Sequence, residues 1–272
     1  MIRMIALDLD DTLLRSDITV SYRTKKAVQK AVAEGISIVL ASGRTPAAME
    51  KFVKTLGMNK RSGYLICNNG SLSMESCTNA IVYEAKIPAE TALTVYDLCS
   101  AEGFAVQVYE NDILYVSKTN EFTMYDQKLT GLKQVVAEDF RGLVAKGCYK
   151  LLIPGDPMIL QPLESILNTY LEESATLFTS KPYFLEILPP KTDKGTALEI
   201  VSKKLSVQRE EIAAIGDSMN DEAMLRWAGL GIAMKNGDER IKKIADMVSD
   251  KTNDDDGAAI VIEKLIERKD RT

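Results

Sequence analysis

Aspartates gather in two short segments of the sequence, and each segment follows an apolar run. The apolar runs are residues 2–7 and 211–216. The aspartates that follow them are Asp8, Asp10, Asp11, Asp217 and Asp221. If the two segments meet in space, their like charges would force some of the carboxyl groups to hold protons. A divalent cation removes this conflict, and Mg²⁺ fits best, because it takes one or two carboxylates and fills its shell with water and phosphate oxygens.

Two other polar segments complete a set that suits a phosphoryl group. Ser42 follows the apolar run 36–41 and brings a hydroxyl donor. Lys194 precedes Gly195 at the start of a helical pattern and brings a fixed positive charge. The peptide N–H groups that follow Asp8 and Ser42 offer further donors. A phosphoryl group needs neutralised charge and several directed hydrogen bonds, so the four segments together predict a site for phosphate chemistry.

The composition excludes several other chemistries. The chain has 272 residues and no histidine, so it holds no Ser-His-Asp or Cys-His nucleophile and no histidine metal ligand. Its net charge of −5 disfavours a general nucleic-acid binder, which would carry a basic patch. The cysteines match neither a CxxC motif nor a zinc site in their spacing: they are Cys67, Cys77, Cys99 and Cys148.

The cysteines and the apolar pattern also indicate a location for the protein. Scattered free thiols are typical of a reducing compartment. The apolar stretch within residues 1–11 is too short for a signal peptide, and no later apolar run approaches the roughly 18 residues of a membrane span. We therefore predict a soluble, cytoplasmic protein whose partners include neither a membrane nor a nucleic acid.

The elements that must position the polar segments follow an α/β pattern at both ends of the chain. Strand-like runs alternate with helical patterns, which predicts a parallel sheet with helices on its faces. Such sheets bind ligands outside the carboxyl ends of their strands, where three of the four polar segments stand. The alternating segments are 2–7, 21–34, 36–41, 46–56 and 64–67, and, after Pro189-Pro190, 194–205, 211–216 and 220–228.

The middle of the chain has a different pattern. The strand-like runs 104–109 and 112–117 stand two residues apart, which is hairpin spacing. With the helical and strand-like segments around them, they predict an antiparallel sheet that has helices on one face. We therefore predict an α/β core domain of residues 1–83 and 189–272, interrupted by an inserted α+β domain of residues 84–188.

The four polar segments, taken in order, resemble the motifs of the haloacid dehalogenase superfamily. The matching residues are Asp8-x-Asp10-x-Thr12, Ser42, Lys194 and Gly216-Asp217-x-x-x-Asp221. Asp8 and Ser42 are 34 residues apart, whereas Ser42 and Lys194 are 152 apart, so the insertion lies between the second and third motifs. This placement resembles the Cof-type subgroup of sugar-phosphate and cofactor phosphatases, which has a class IIB cap. The resemblance implies a Rossmann-like core and an α+β cap.

The resemblance implies a separate catalytic or metal-binding role for each aspartate. Asp8 would be the nucleophile that attacks phosphorus and forms an aspartyl-phosphate. Asp10 would protonate the leaving alcohol and then accept a proton from the hydrolytic water. Mg²⁺ would be held by the Asp8 side chain, the Asp10 main-chain carbonyl and the Asp217 side chain. Asp221 would bind a water of the metal. The implied activity is the Mg²⁺-dependent hydrolysis of a small phosphorylated metabolite.

The resemblance gives the other motif residues binding and support roles. The phosphoryl oxygens would be bound by the Leu9 N–H and by Ser42, Gly43, Lys194 and Asn220. Thr12 would secure the loop, Arg44 is interpreted as a structural partner of nearby acids, and the turn Asn68-Asn69-Gly70 resembles one that lies near the substrate in this subgroup. Asp11 stands where the family most usually has glycine, and aspartate is among the better tolerated residues if φ is positive there.

Two alternatives stay open. A phosphomutase would have to bind a second phosphate, which usually needs extra arginine or lysine, and residues 84–186 contain a single arginine, Arg141, which argues against it. A catalytically silent regulator that binds phosphosugars is the second alternative, and the presence of Asp8, Asp10, Lys194 and Asp217 together argues against it. The sequence leaves open which phosphorylated substrate is bound and what the oligomeric state is.

Overall fold

Two compact units make up the chain, and one of them is discontinuous in sequence. The computed structural model describes residues 1–60, 63–110, 112–171 and 173–269, so the last three positions of the predicted core segment lie outside it. The core unit consists of Met1–Glu84 and Asp193–Thr272. The inserted unit consists of Ala85–Thr192.

Both units combine strands with helices. In chain order the strands are β1 (Met4–Asp8), β2 (Ser37–Ala41), β3 (Tyr64–Cys67), β4 (Leu72–Glu75), β5 (Ile81–Glu84), β6 (Gln107–Glu110), β7 (Ile113–Val116), β8 (Lys133–Val136), β9 (Leu151–Pro154), β10 (Thr176–Lys181), β11 (Phe184–Leu188), β12 (Ile212–Gly216), β13 (Leu230–Ala233) and β14 (Met247–Val248). The α-helices are α1 (Tyr22–Ala33), α2 (Pro46–Leu56), α3 (Ala89–Ala101), α4 (Glu121–Thr130), α5 (Phe140–Val144), α6 (Pro157–Leu171), α7 (Lys194–Leu205), α8 (Glu222–Trp227), α9 (Glu239–Ile244) and α10 (Gly257–Lys269). Among the helices of the described ranges, none has both the length and the apolar character needed to cross a membrane.

The sheet of the core unit has the strand order β14-β13-β12-β1-β2-β3-β4-β5. The strand β1 lies between β12 and β2 and is parallel to both, with Ala6 level with Ala214 on one side and Val39 on the other. From β14 to β3 the neighbours are parallel, whereas β4 and β5 pair antiparallel at one edge. The chain order reverses direction at β1, which is the place where open α/β sheets bind their ligands.

Apolar runs explain why these strands form the centre of the sheet. Every residue of β1 and β12 is buried, as expected for parallel strands that helices cover on both faces. The covering helices bury apolar stripes, and α1 turns Ala27, Val28 and Ala31 inward. This helix begins after Ser21, whose side chain accepts the Thr24 N–H. The predicted α/β class with a parallel core sheet is confirmed.

The inserted unit has its own sheet, in the strand order β10-β11-β9-β6-β7-β8. Neighbouring strands are antiparallel, as predicted, except that β8 runs parallel to β7. The exception follows from α4, because a helix that connects two strands of one sheet lets the second strand run parallel to the first. One face of the sheet packs against α3, α5 and α6 in an apolar core that includes Val108, Ile153 and Leu185.

The opposite face of this sheet contributes to a buried polar cluster. Tyr109 and Gln107 both donate hydrogen bonds to Asp126 Oδ2, at 2.7 and 3.0 Å. Lys150 Nζ lies 3.2 Å from Glu186 Oε2 and 4.9 Å from the centre of the Tyr109 ring. Burial raises the pKa of Asp126, and the hydrogen bonds together with the charge of Lys150 offset only part of that effect. Ionisation of Asp126 therefore lowers the free energy of unfolding.

We expect the substitution Asp126→Asn to reduce the pH dependence of stability. The asparagine Oδ1 can accept the same two hydrogen bonds without a buried negative charge. Because the folded-state pKa of Asp126 is raised above its ordinary value of 3.8, the contribution of this group to stability is largest below that value and is lost as the pH rises through the raised pKa. Thermal unfolding between about pH 4 and pH 7 should show a smaller loss in the variant. Identical pH profiles for the two proteins would contradict this account.

Candidate active site

The loop after β1 presents the first pair of predicted aspartates. Asp8 is the last residue of β1, and its carboxyl group is buried. The chain then makes a helical turn, Leu9–Leu13, that starts with the fully buried Leu9. Within this turn Asp11 has a left-handed backbone, with φ 59° and ψ 7°. The position that is usually glycine in the family does have a positive φ here, which aspartate tolerates better than most residues.

Lys194 is fully buried and bridges two of the predicted aspartates. It is the first residue of α7, which Asp193 caps by accepting the Thr196 N–H at 2.7 Å. Lys194 Nζ lies 2.6 Å from Asp8 Oδ1 and 2.7 Å from Asp221 Oδ1. Burial by itself would lower the pKa of Lys194, but the attraction of Asp221 and Asp8 outweighs it and raises the pKa. The lysine is therefore a permanent cation in this position.

Asp217 and Asp221 lie in the turn that follows β12. Asp221 Oδ2 accepts the N–H groups of Asp217 and Ser218, at 2.9 and 3.1 Å. Its other oxygen is the one that Lys194 holds. Asp217 Oδ1 accepts a hydrogen bond from the Thr12 hydroxyl at 2.9 Å, which ties this turn to the loop after β1. The contact of Thr12 agrees with its predicted role of securing that loop.

The buried carboxyl groups form a donor set that could hold a metal ion. Oxygen atoms of Asp8, Asp217 and Asp221 lie within 4.8 Å of one another. Burial raises the pKa of Asp8 well above its usual range; Lys194 opposes this shift, whereas the neighbouring aspartates add to it. Burial and the charge of Asp221 raise the pKa of Asp217 to about 7. Because Lys194 balances only part of this negative charge, the set fits a hard divalent cation such as Mg²⁺.

The Ser42 segment packs against the turn that follows β3. Ser42 is buried, its N–H donates to the Ile66 carbonyl at 2.8 Å, and its own carbonyl accepts the Asn69 N–H at 3.0 Å. A Cβ added at Gly43 would lie 3.0 Å from Asn69 Nδ2, so the two segments are in close contact. Asn69 Oδ1 also accepts a hydrogen bond from Asn220 Nδ2 at 3.1 Å. Asn69 therefore joins Ser42 and Gly43 to the Asp217–Asp221 turn.

The turn Asn68–Gly70 also supports the start of α7. Gly70 has φ 110°, and a Cβ at this position would collide with the Asp193 carbonyl. Glycine is therefore required both by the backbone conformation and by the close approach of the two segments. Because Asp193 caps α7, this contact helps to fix the position of the adjacent Lys194.

Asp10, the second predicted aspartate of the loop after β1, forms an ion pair with Arg44. Arg44 Nε and Nη2 donate to Asp10 Oδ2 and Oδ1, at 2.9 and 2.6 Å, in a bidentate ion pair. The Arg44 side chain is 7% exposed and that of Asp10 is 42% exposed. The guanidinium also lies over the Phe52 ring, 5.6 Å from its centre. Arg44 therefore pairs with an acid of the loop, as predicted.

Two asparagines that the sequence analysis missed bond to the loop after β1. Asn236 Nδ2 donates to the Asp11 carbonyl at 2.7 Å, and Asn253 Nδ2 donates to the Leu14 carbonyl at 3.0 Å. The dipeptide Asn236-Gly237 is a turn signal, which marks a loop but does not show what that loop contacts. Their acceptors are main-chain carbonyls, so no matching residue type could have suggested the pairing.

We expect the substitution Gly216→Ala to disturb the site without altering a charge. A Cβ at Gly216 would lie 2.5 Å from Asp221 Cγ, and Asp221 is held in place by Lys194 and by two N–H groups. Overpacking of this kind destabilises a fold by about 1–3 kcal/mol. Thermal unfolding should therefore show a lower melting temperature. Gly155→Ala is a matched control, because a Cβ there would make an ordinary contact with Leu160 at 3.4 Å. Equal melting temperatures for the parent and Gly216→Ala would contradict the expectation.

The fold of this chain also occurs in proteins of known structure. A family model described as haloacid dehalogenase-like hydrolase matches residues 5–262. The chain belongs to that family. A haloacid dehalogenase-like hydrolase from Bacteroides thetaiotaomicron, known from its crystal structure, is 32% identical in sequence. It matches with a TM-score of 0.90, over 97% of this chain and 100% of its own.

Relatives of this haloacid dehalogenase-like hydrolase include named phosphatases. The 5-amino-6-(5-phospho-D-ribitylamino)uracil phosphatase YcsE of Bacillus subtilis is 30% identical, over 96% of this chain and 94% of its own length. The phosphatase YwpJ of the same organism is 28% identical, over 97% of this chain and 100% of its own length. The predicted membership of the Cof-type haloacid dehalogenase hydrolases is confirmed, and so is the prediction that the protein is an enzyme of the phosphatase type.

Proposed function

We propose that this haloacid dehalogenase-like hydrolase is a Mg²⁺-dependent phosphatase of small phosphorylated metabolites, with an aspartyl-phosphate intermediate on Asp8. The observation that carries the proposal is the fully buried Lys194, held by Asp8 and Asp221, with the carboxylate of Asp217 beside them. Such a site can receive a phosphoryl group, since it combines a carboxylate that can attack with cationic groups that can neutralise the phosphoryl oxygens.

The buried carboxylates support a Mg²⁺ site within the core unit. The side chains of Asp8 and Asp217 and the main-chain carbonyl of Asp10 would hold the ion, and Asp221 would bind one of its waters. When bound, the ion supplies charge neutralisation at the phosphoryl oxygens and at the nucleophile. Lys194 supplies a second, permanent charge that does not depend on metal.

Asp8 would attack phosphorus as the bond to the leaving alcohol breaks. Lys194 holds Asp8 Oδ1 at 2.6 Å, so the rotation of the carboxylate is fixed before the substrate arrives. A reactant held in one orientation avoids part of the entropy loss of reaching the transition state. The other groups that would hold the phosphoryl oxygens are the Leu9 N–H, the Ser42 hydroxyl, Gly43 and Asn220.

Asp10 would transfer protons, first to the leaving alcohol and then from the hydrolytic water. In this structure both oxygens of the Asp10 carboxyl group accept hydrogen bonds from Arg44. To reach a leaving alcohol or a water, Asp10 would have to open at least one of these hydrogen bonds.

Phosphate release tests the proposed function. We expect release from para-nitrophenyl phosphate and from a panel of sugar phosphates, nucleotides, pyridoxal phosphate and flavin mononucleotide in the presence of Mg²⁺, and none with excess chelator. The phosphate ester that YcsE is named for belongs in the panel, and the ranking would indicate the substrate class. Isomer formation without phosphate release would support a phosphomutase instead. Binding without either reaction would support a silent regulator, and full activity in chelator would contradict the role of the metal.

A further inference from the structure

The turn that follows Asp8 is held from outside the site by two asparagines. Asn236 Nδ2 donates to the Asp11 carbonyl at 2.7 Å, and Asn253 Nδ2 donates to the Leu14 carbonyl at 3.0 Å. The two asparagines also bond to each other, since the Asn253 N–H donates to Asn236 Oδ1 at 3.0 Å. Asn253 is buried. The pair therefore holds the main chain at two points, Asp11 within the turn and Leu14 directly after it. We call Asn236 and Asn253 the clasp.

Further contacts bring the segment of Asn253 alongside the residues that follow the turn. Asp254 accepts hydrogen bonds from the N–H and the hydroxyl of Ser16, at 2.9 and 2.7 Å. Arg15 Nη2 lies 3.1 Å from Asp256 Oδ1. These outer contacts are partly exposed, so they contribute less than the buried bond of Asn253.

The conformation of the turn explains why it needs a clasp. Asp11 has φ 59°, a value that disfavours a residue with a side chain unless the surroundings hold it. Asn236 bonds to the Asp11 carbonyl, so the clasp acts directly on the residue that has the positive φ. On its other side the turn is fixed by Thr12, which bonds to Asp217.

The clasp residues contact the main chain of the loop rather than the proposed reacting groups. Among the hydrogen bonds of the described residues, neither Asn236 nor Asn253 bonds to Asp8, Lys194 or Asp217. Both asparagines bond instead to the main chain that joins the proposed nucleophile to Thr12 and Leu14. They can influence a reaction only through the path of that main chain.

We propose that Asn236 and Asn253 are positioning residues, which set the main-chain path of the Leu9–Leu13 turn and so the placement of Asp8 and Asp10. The inference rests on the proposed phosphatase function. A misplacement of about 1 Å at a reacting group can lower a rate by roughly a hundredfold, even when substrate binding is kept. A role in positioning therefore predicts a loss in kcat and little change in KM.

An isosteric substitution tests the clasp. Asn236→Asp keeps the oxygen that accepts the Asn253 N–H, but it places a second carboxylate oxygen against the Asp11 carbonyl, where the donor had been. With para-nitrophenyl phosphate and Mg²⁺, we expect kcat to fall by about tenfold or more and KM to change by less than about twofold. Rapid acid quenching should show that the phosphoenzyme forms more slowly. Asn236→Ser removes the donor without adding a charge, and it serves if the aspartate variant does not fold.

Controls separate positioning from a general loosening of the loop. Asp254→Ala removes the outer contacts to Ser16 and should keep the kcat of the parent, because it leaves the clasp intact. An equal fall of kcat in Asp254→Ala, or an unchanged kcat in both Asn236 variants, would overturn the assignment. The assignment would also be overturned if the fraction of unfolded protein fully explained the fall of kcat. If the parent itself releases no phosphate, the proposed function fails instead, so the two failures are distinguishable.

Discussion

The variant Asp8→Asn is expected to release no phosphate while it keeps the fold. An amide group is not a nucleophile, so no aspartyl-phosphate can form, and losses of roughly 10⁴-fold or more are typical when an enzyme loses its nucleophile. The asparagine Oδ1 can still accept the hydrogen bond from Lys194. The substitution also removes one charge from a group of buried carboxylates, where burial raises the pKa of Asp8. The melting temperature should therefore stay near that of the parent or rise.

Steady-state phosphate release and thermal unfolding check this prediction side by side. Asp250→Asn is a matched control, because Asp250 is an exposed aspartate whose partner, Lys264, is exposed as well. The control should keep both the rate and the melting temperature of the parent. If Asp8→Asn hydrolysed substrate at the rate of the parent, Asp8 would not be the nucleophile. If it failed to fold, the charge argument would be wrong.

The variant Lys194→Met is expected to lose stability as well as activity. Methionine fills a similar volume but leaves Asp8 and Asp221 without the cation that lies within 2.7 Å of both. Removal of one partner from a buried ion pair destabilises a fold by about 3–5 kcal/mol, because the remaining charge is left unpaired in a medium of low polarity. The two carboxylates then repel each other, which favours protonation of Asp8 or a movement of the side chains away from each other.

The pH dependence of the loss identifies its cause. Burial raises the pKa of Asp8, and protonation of Asp8 removes one unpaired charge, so the deficit of Lys194→Met should be larger near about pH 8 than near about pH 5. Thermal unfolding of both proteins at the two pH values measures it. Lys203→Met is the control, since Lys203 pairs with Glu199 at an exposed position of the same helix and should matter little. A deficit that does not depend on pH would indicate a packing defect rather than unpaired charge.

The core fold and most of the candidate site could be predicted because both depend on local patterns. Parallel strands that are buried on both faces are short apolar runs, as β1 and β12 are. Polar residues that directly follow such runs lie at one edge of the sheet. For this reason Asp8 and Asp221 could be expected to lie near each other although they are far apart in the sequence. Lys194 begins a helix rather than following a strand, and the structure brings it within hydrogen-bond distance of both.

Other features could not be predicted, for identifiable reasons. The edge strand β5 is only partly buried, so it has no clear apolar pattern. The helix α4 buries few residues and has a weak apolar stripe. Asn236 and Asn253 bond to main-chain carbonyls 225 and 239 residues away, and a main-chain acceptor has no signature in the sequence. The partner of Arg44 was expected to be an acid of the loop, but local pattern could not single out Asp10.

The interrupted core unit has a consequence for the synthesis of the protein. A ribosome that has released residues 1–192 has produced β1 and Asp8, but neither Lys194 nor β12, the strand that pairs with one edge of β1. The inserted unit is continuous, so it can complete its own core during this interval. The nascent core meanwhile exposes an open strand edge, a surface that chaperones protect and that other chains could pair with. The candidate site is thus assembled only after β12 has been synthesised and has paired with β1.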